Sequence, residues 1–257
     1  YLASPETAAA TAVAGTFATA EEIMGSDVSR LAGIREPDAY CIDDSMLLPP
    51  LPQEEAEKVE IVRGPNIKPL PLPDAPEDDL RCRVSLKGGD NITTDGITPA
   101  SAELSSMRSN IPLMSQYCYH NYDPDFAARA KEYGKSIIIG GVNYGQGSSR
   151  EHAAINPMYL GVKAVIAKSI ARIHKGNLIN HGIVPLTFAD AADYERIDLA
   201  DELEIRDFPA QIQRGRITVQ DRTKGFSFDA ILDLSAEAKE VLLCGGQLRY
   251  LRKKLEA

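Results

Sequence analysis

The alternation of hydrophobic and polar positions divides the chain into three regions. Residues 1 to about 24 are alanine-rich, and Ser4, Pro5 and Glu6 are typical of a helix start, because a capping hydroxyl, an early proline and an acid all favour helix N-termini. Residues 49–76 hold eight of the 16 prolines. We therefore predict an extended, semi-rigid linker there, interrupted by a strand-like piece at Val59–Arg63.

From about residue 79 onward, apolar runs and alternating segments predict a compact unit in which strands and helices follow one another. Helices are predicted near Ala171–Asn180, from Ser235 to a break at Gly245 and Gly246, and over Gln247–Glu256. The predicted strands are Arg81–Lys87, Ser136–Gly140, Lys163–Ala167, Val184–Phe188, Leu203–Ile205 and Ile217–Gln220. This order favours an α/β fold in which helices pack on a mixed β-sheet.

Charge and composition narrow the choice of partners. The net charge of −9 and the pI of about 5.0 disfavour nucleic acid as a partner, although local arginines can still bind a small anion. No apolar run is long enough for a membrane helix, so we expect no membrane partner. The four widely spaced cysteines predict reduced thiols and a cytoplasmic protein. The first residue is Tyr1 rather than methionine, which suggests a fragment or a processed product.

A glycine-rich segment, Gly140–Ala154, carries the most informative chemistry. It predicts a strand, a glycine loop and a helix start at which Ser148 and Glu151 fit a capping box. An anion is favoured at such a site, and the neighbouring Ser149 and Arg150 point to a carboxylate. The spacing matches neither common nucleotide-binding motif. The alternative is a capped helix after a glycine turn, with nothing bound.

Several segments resemble the aconitase and isopropylmalate dehydratase family, in the order and spacing of that family. They are Tyr144–Ala154, Lys168–His174, Pro185–Asp190, Asp90–Asp95 and, upstream, Ser4–Ala9. The resemblance implies that residues 79–257 form the family's swivel domain, that residues 25–78 are a linker, and that residues 1–24 are the end of the catalytic core domain.

The resemblance also implies roles for individual residues. Ser148 matches the serine that acts as the base, and Asp95 matches an aspartate that lines the site. Ser149 and Arg150 match residues that bind substrate carboxylates. Arg108 lies where aconitases place an arginine for a third carboxylate, which favours citrate and isocitrate over substrates with an alkyl group; the alternative is a surface arginine in a loop. Gly96 replaces the histidine that usually follows the aspartate.

The implied reaction interconverts citrate and isocitrate through cis-aconitate. The family uses a 4Fe-4S cluster whose ligands lie in the core, so the full-length enzyme would carry the cluster and this chain would bind none. We expect the partners to be a tricarboxylate substrate and the upstream core domains, and we expect no dehydratase activity from this chain alone.

The alternative is a small subunit that docks on a large subunit of an isopropylmalate, homoaconitate or methylcitrate-type dehydratase. The amino-terminal 80 residues discriminate between a fragment of a fused enzyme and a separate small subunit, because split small subunits begin near the first swivel strand. An RNA-binding swivel domain is disfavoured by the acidic charge.

The histidines have structural interpretations. His152 is expected to orient the loop at the helix start, and His174 to pack on the next helix. His120 and His181 are predicted at the surface or in turns.

Overall fold

A computed structural model describes residues 2–25 and 37–256, and the chain forms two compact units, residues 1–60 and 61–257. In the first unit, helix α1 begins after Ser4, whose hydroxyl accepts a hydrogen bond from the Thr7 amide at 3.2 Å, as predicted. The helices in the described part of this unit are α1 Pro5–Ala14, α2 Ala20–Met24 and α3 Gln53–Ala56. Residues 26–36 of the predicted linker lie outside the described residues.

The proline-rich segment has no regular strand in its described part. The predicted strand at Val59–Arg63 is wrong. The amide of Val59 instead donates to the Ala56 carbonyl at 3.2 Å, so the start of this segment closes the last turn of α3. The neighbouring prolines also lack amide donors with which a strand could pair.

The second unit is built on seven strands that close into a barrel. Numbered along the chain, the strands follow one another around it in the order 1-2-3-4-7-6-5; the first four pair in parallel, and the contacts through the last three are antiparallel. The mixed sheet and its six predicted strands are confirmed, whereas the seventh strand and the closure were not predicted. The strands are β1 Leu80–Lys87, β2 Ser136–Gly140, β3 Val162–Ala167, β4 Val184–Phe188, β5 Glu202–Ile205, β6 Arg216–Asp221 and β7 Phe226–Ile231.

Helices cover the outside of the barrel and form its connections. The helices predicted near Ala171–Asn180, from Ser235 and over Gln247–Glu256 are confirmed, as is the helix start predicted after the glycine loop; the other helices were not predicted. In the described part of this unit the helices are α4 Thr94–Ile97, α5 Ala102–Ser105, α6 Ile111–Met114, α7 Phe126–Tyr133, α8 His152–Tyr159, α9 Arg172–Asn180, α10 Asp193–Arg196, α11 Phe208–Arg214, α12 Ala236–Leu243 and α13 Gln247–Glu256. No helix in the described ranges is both long enough and apolar enough to span a bilayer.

Strand β2 shows how the hydrophobic core is divided. Ile137 and Ile139 belong to the cluster inside the barrel, to which all seven strands contribute. Ile138 points to the opposite face, because side chains alternate along a strand. There it packs in a second cluster with Phe126 of α7 and Leu178 of α9. Since both faces of β2 are buried, the strand is anchored firmly, and the loop that follows Gly140 starts from a fixed point.

Candidate functional site

Two loops lie side by side where the neighbouring parallel strands β1 and β2 end. A ladder of backbone hydrogen bonds joins loop 88–98 to loop 141–151. Its bonds run from the amide of Asn91 to the Val142 carbonyl at 2.8 Å, from Gly145 to Ile92 at 2.7 Å and from Thr94 to Gln146 at 2.9 Å. The carboxyl ends of parallel strands are the usual place for ligands in α/β proteins. The ladder therefore holds Asp95 and Ser148, on separate loops, at one end of the barrel.

The glycine loop needs glycine at two positions. Gly145 and Gly147 have φ angles of +77° and +110°, which residues with a side chain rarely adopt. A Cβ atom added at Gly145 would also overlap the buried ring of His174 and would lie 2.7 Å from the His174 Cβ. The loop thus packs directly on α9 and cannot move toward it.

Ser148 and Ser149 present exposed side chains at the tip of this loop. The Ser148 backbone is fixed from behind, because Thr94 Oγ1 donates to its carbonyl at 3.0 Å. Both serines line a cavity of about 390 Å³ together with Arg150 and Arg108. The remaining lining residues are Thr98, Pro99, Ala100, Leu104, Ser105, Met114, Glu151 and His152.

Arg150 is oriented by the predicted aspartate. Its Nη1 forms an ion pair with Asp95 Oδ1; the Arg150 side chain is 26% exposed and the Asp95 side chain 60% exposed. A guanidinium carries five N–H donors, so donors remain for a ligand in the cavity. Asp95 therefore contacts the predicted carboxylate-binding arginine, although it is not among the residues that line the cavity.

Arg108 reaches the same cavity from an exposed segment between α5 and α6. Its Nη2 donates to Ser105 Oγ at 3.4 Å, and its backbone carbonyl accepts a hydrogen bond from His152 Nε2 at 2.9 Å. The structure thus brings Ser148, Ser149, Arg150 and Arg108 around one concavity, with Asp95 bound to Arg150.

The predicted capping box at the start of α8 is wrong. The helix begins at His152, its N-cap residue is Glu151, and no side chain caps it. The Glu151 carboxylate instead bonds His181 Nε2 at 3.0 Å. Ser148 lies too far upstream to cap, because the ladder with loop 88–98 keeps residues 144–148 out of the helix. His181 lies in the turn after α9, as predicted, but it is only 7% exposed; its burial lowers the pKa of its imidazole, an effect that Glu151 partly opposes.

The glycine at position 96, where the family usually has histidine, has a steric explanation. A side chain at this position would overlap the ring of Tyr122, whose Cζ lies 2.8 Å from an added Cβ. Tyr122 thus fills the space beside Asp95 that a larger residue at position 96 would occupy.

Three aromatic residues lie behind the loop: His174, which is buried on α9 as predicted, and Tyr119 and Tyr144, to which the sequence analysis gave no role. The Tyr144 hydroxyl hydrogen-bonds the Tyr119 hydroxyl, and the Tyr144 ring lies 5.4 Å from the ring of His174. Burial lowers the pKa of His174 to about 4 and raises the pKa of both tyrosines. These groups are therefore uncharged at neutral pH and form a packed support under the glycine loop. Tyr144 and His174 lie within the recognised segments, whereas Tyr119 lies outside them and had no sequence signal.

The chain is similar to proteins of one family, the family that the sequence motifs suggested. The family description "Aconitase C-terminal domain" matches residues 104–191. A putative mitochondrial aconitate hydratase of Aspergillus fumigatus is 31% identical over 99% of this chain and 37% of its own length. The 3-isopropylmalate dehydratase small subunit 2 of Archaeoglobus fulgidus is 38% identical over 65% of this chain and 92% of its own length. A crystal structure of 3-isopropylmalate dehydratase from Methanocaldococcus jannaschii matches with a TM-score of 0.58 and 29% identity, over 69% of this chain and 96% of that one.

The barrel and its helices therefore define an aconitase-like swivel domain, and the relatives that match it are hydratases and dehydratases. The chain belongs to the aconitase family, within which it corresponds to the C-terminal domain of aconitate hydratases and to the small subunit of 3-isopropylmalate dehydratases. It spans 37% of the length of the A. fumigatus relative. The mitochondrial label on that relative gives no support to the predicted cytoplasmic location.

The residues of the described ranges do not fit an iron–sulfur cluster. They contain no group of three or more His, Cys, Asp or Glu side chains placed to hold a metal ion. All four cysteines are free; Cys82 lies inside the barrel and Cys118 in the second core cluster. Burial raises the pKa of both thiols to about 12, which disfavours the thiolate that a metal needs.

Proposed function

We propose that this chain supplies the base and two carboxylate-binding arginines of an aconitate hydratase that interconverts citrate and isocitrate through cis-aconitate. The observation that supports it is the convergence of Ser148, Arg150 and Arg108 on one cavity. Two guanidiniums at one cavity suit a substrate with several carboxylates, since each can form charge-assisted hydrogen bonds. Opposite an alkyl group, Arg108 would instead be desolvated without a partner.

The proposed chemistry of this chain is removal of a proton. Ser148 Oγ takes the proton from the carbon next to a substrate carboxylate, and that carboxylate is held by Ser149 and Arg150. Ser148 must be an alkoxide to take this proton, and it becomes a neutral hydroxyl when it does so. The Arg150 guanidinium, which Asp95 orients, stabilises the negative charge of the alkoxide before the transfer. The electron pair of the broken C–H bond forms the C=C bond of the product as the substrate hydroxyl leaves as hydroxide. The family's 4Fe-4S cluster is assigned to a core supplied by a partner region or subunit, which also completes the site. Residues 1–24 and 25–78 are proposed as the end of that core and the linker to it.

A second candidate is the small subunit of an isopropylmalate or homoaconitate dehydratase. The match to 92% of the A. fulgidus small subunit favours it. The cavity also has an apolar wall, formed by Pro99, Ala100 and the buried Leu104, that could contact an alkyl group. The isopropylmalate form of this candidate differs from the first candidate in what Arg108 binds, whereas a homoaconitate dehydratase would also present a third carboxylate to it.

The test is to combine this chain with a cluster-bearing core and to assay citrate, homocitrate-type and isopropylmalate-type substrates side by side. We expect turnover of citrate, and we expect Arg108→Ala to raise KM for citrate by about 10- to 100-fold, as the loss of a charge-assisted hydrogen bond implies. Ser148→Ala should lower kcat by about 10²- to 10⁴-fold without changing the thermal midpoint. Turnover of isopropylmalate alone, unaffected by Arg108→Ala, would establish the second candidate instead.

A further inference from the structure

His152 contacts both ends of the segment that carries Arg108. Its backbone carbonyl accepts a hydrogen bond from Thr98 Oγ1 at 3.2 Å, and its ring Nε2 lies 2.9 Å from the Arg108 carbonyl oxygen. Because a carbonyl can only accept, Nε2 carries the proton in this contact. One residue thus holds segment 98–108 where it leaves the barrel and where it reaches the cavity.

Thr98 also accepts a hydrogen bond from Asn156 Nδ2 at 3.3 Å, and its amide donates to the Thr94 carbonyl at 2.9 Å, but the segment beyond it has few other anchors in the described structure. Leu104 is buried, whereas Ser101, Glu103 and Ser106 are exposed. The next carbonyl, that of Ser109, accepts from the Lys68 amide at 3.0 Å. Two consecutive carbonyls are therefore fixed from outside, and the Arg108 guanidinium has only a long hydrogen bond, 3.4 Å, to Ser105 Oγ. The main chain is restrained, while the charged end stays available to a ligand.

His152 is also close in sequence to the other half of the site. It lies two residues after Arg150 and four after Ser148, at the first position of α8. Its hydrogen bond to the Arg108 carbonyl consequently ties the two arginines together. We propose that His152 is a positioning residue that sets the span between Arg150 and Arg108 and so selects substrates by the spacing of their carboxylates. This inference rests on the proposed role of Arg108 in binding a carboxylate.

The first test uses the chain by itself with two variants, His152→Gln and His152→Leu. The Gln amide nitrogen can donate from nearly the same place as Nε2, whereas Leu has a similar size and no donor. Losing a hydrogen bond of about 0.5–1.5 kcal/mol should speed local opening about 2- to 12-fold. We expect amide exchange over residues 104–110 to rise by that factor in the Leu variant and to be restored by Gln. Amides of β7 serve as the control and should not change. Unchanged exchange at 104–110 in the Leu variant would overturn the proposal.

The second test measures substrate selection with a cluster-bearing core present. His152→Leu should raise KM for citrate more than it lowers kcat, leave KM for an isopropylmalate-type substrate unchanged, and be corrected by Gln. An equal loss of kcat for both substrates would show a merely structural role and refute positioning. If the unmodified assembly does not turn over tricarboxylates, the proposed function fails and selection by carboxylate spacing fails with it. The exchange experiment still decides separately whether His152 restrains the loop.

Discussion

Alanine at position 145 would test whether the glycine loop is held by direct contact with α9. Gly145 has a φ of +77°, and an added Cβ would overlap the ring of His174. The left-handed backbone costs a side chain about 1–2 kcal/mol, and overpacking costs about 1–3 kcal/mol more. We therefore expect Gly145→Ala to lower the free energy of unfolding by about 2–5 kcal/mol.

The chain offers a matched control for the backbone contribution. Gly225, in the turn between β6 and β7, has a φ of +73° and no atom within 4 Å of an added Cβ. Gly225→Ala should therefore cost only the left-handed contribution, about 1–2 kcal/mol. The difference between the two variants, about 1–3 kcal/mol, isolates the contact with His174. For a unit of this size it corresponds to a separation in Tm of about 2–12 °C.

The assay is thermal and urea unfolding of four variants. They are the two glycine variants, His174→Ala, and the double variant that combines Gly145→Ala with His174→Ala. Removing the ring leaves space for the new methyl group. We expect the double variant to be more stable than the sum of the single effects predicts, by about 0.5–3 kcal/mol. Equal losses in the two glycine variants, or strict additivity in the double variant, would refute the idea that α9 determines the position of the loop.

Two further predictions concern buried titratable groups. Burial raises the pKa of Asp221, so the stability that this carboxyl contributes is present below about pH 4 and is lost as the pH rises through its folded pKa. The Asp221→Asn variant keeps an acceptor for the Lys224 amide, which lies 2.8 Å away. We expect this variant to be more stable than the unmodified protein at pH 7 but not at pH 4, as judged by urea midpoints. A loss of stability at pH 7 would contradict this prediction. Burial raises the pKa of Cys82 and Cys118 to about 12. A thiol reagent at pH 8 should therefore label exposed Cys41 at once, and it should label the two buried cysteines only after unfolding. Rapid labelling of either buried cysteine in the native protein would contradict this prediction.

Local signals in the sequence predicted much of the secondary structure. Helix α12 begins after Ser235, whose hydroxyl accepts from the Ala238 amide at 3.2 Å, and it ends where Gly245 and Gly246 have φ angles of +84° and +107°. Such caps and breaks depend only on neighbouring residues. Strand β7 was missed, although Phe228 and Ala230 alternate with more exposed residues. A fuller search for alternation would have found it.

The closure of the barrel could not be predicted in this way. It depends on antiparallel pairing of β1 with β5, which includes an ion pair between Arg81 and the buried Glu204 at 2.8 Å. These residues are far apart in sequence, and periodicity carries no information about which edge strands meet. The capping box failed for a related reason, because hydrogen bonds from loop 88–98 to loop 141–151 compete with the helix start. The candidate site residues followed from the resemblance, but their contacts followed only from the fold.

The two halves of the candidate site differ in how they are held, and this difference suggests how one fold can accept different substrates. Ser148 is on a loop that is bonded to its neighbour at several places and rests on buried His174. Arg108 is on a largely exposed segment. His152 Nε2 is bonded to the Arg108 carbonyl, and the Lys68 amide donates to the next carbonyl, that of Ser109. A substitution in segment 99–108 can therefore change the proposed carboxylate-binding group without loss of core packing, whereas a change around Ser148 disturbs the barrel. Substrate preference should accordingly follow segment 99–108 when it is exchanged between relatives, while the serine and its loop remain the same.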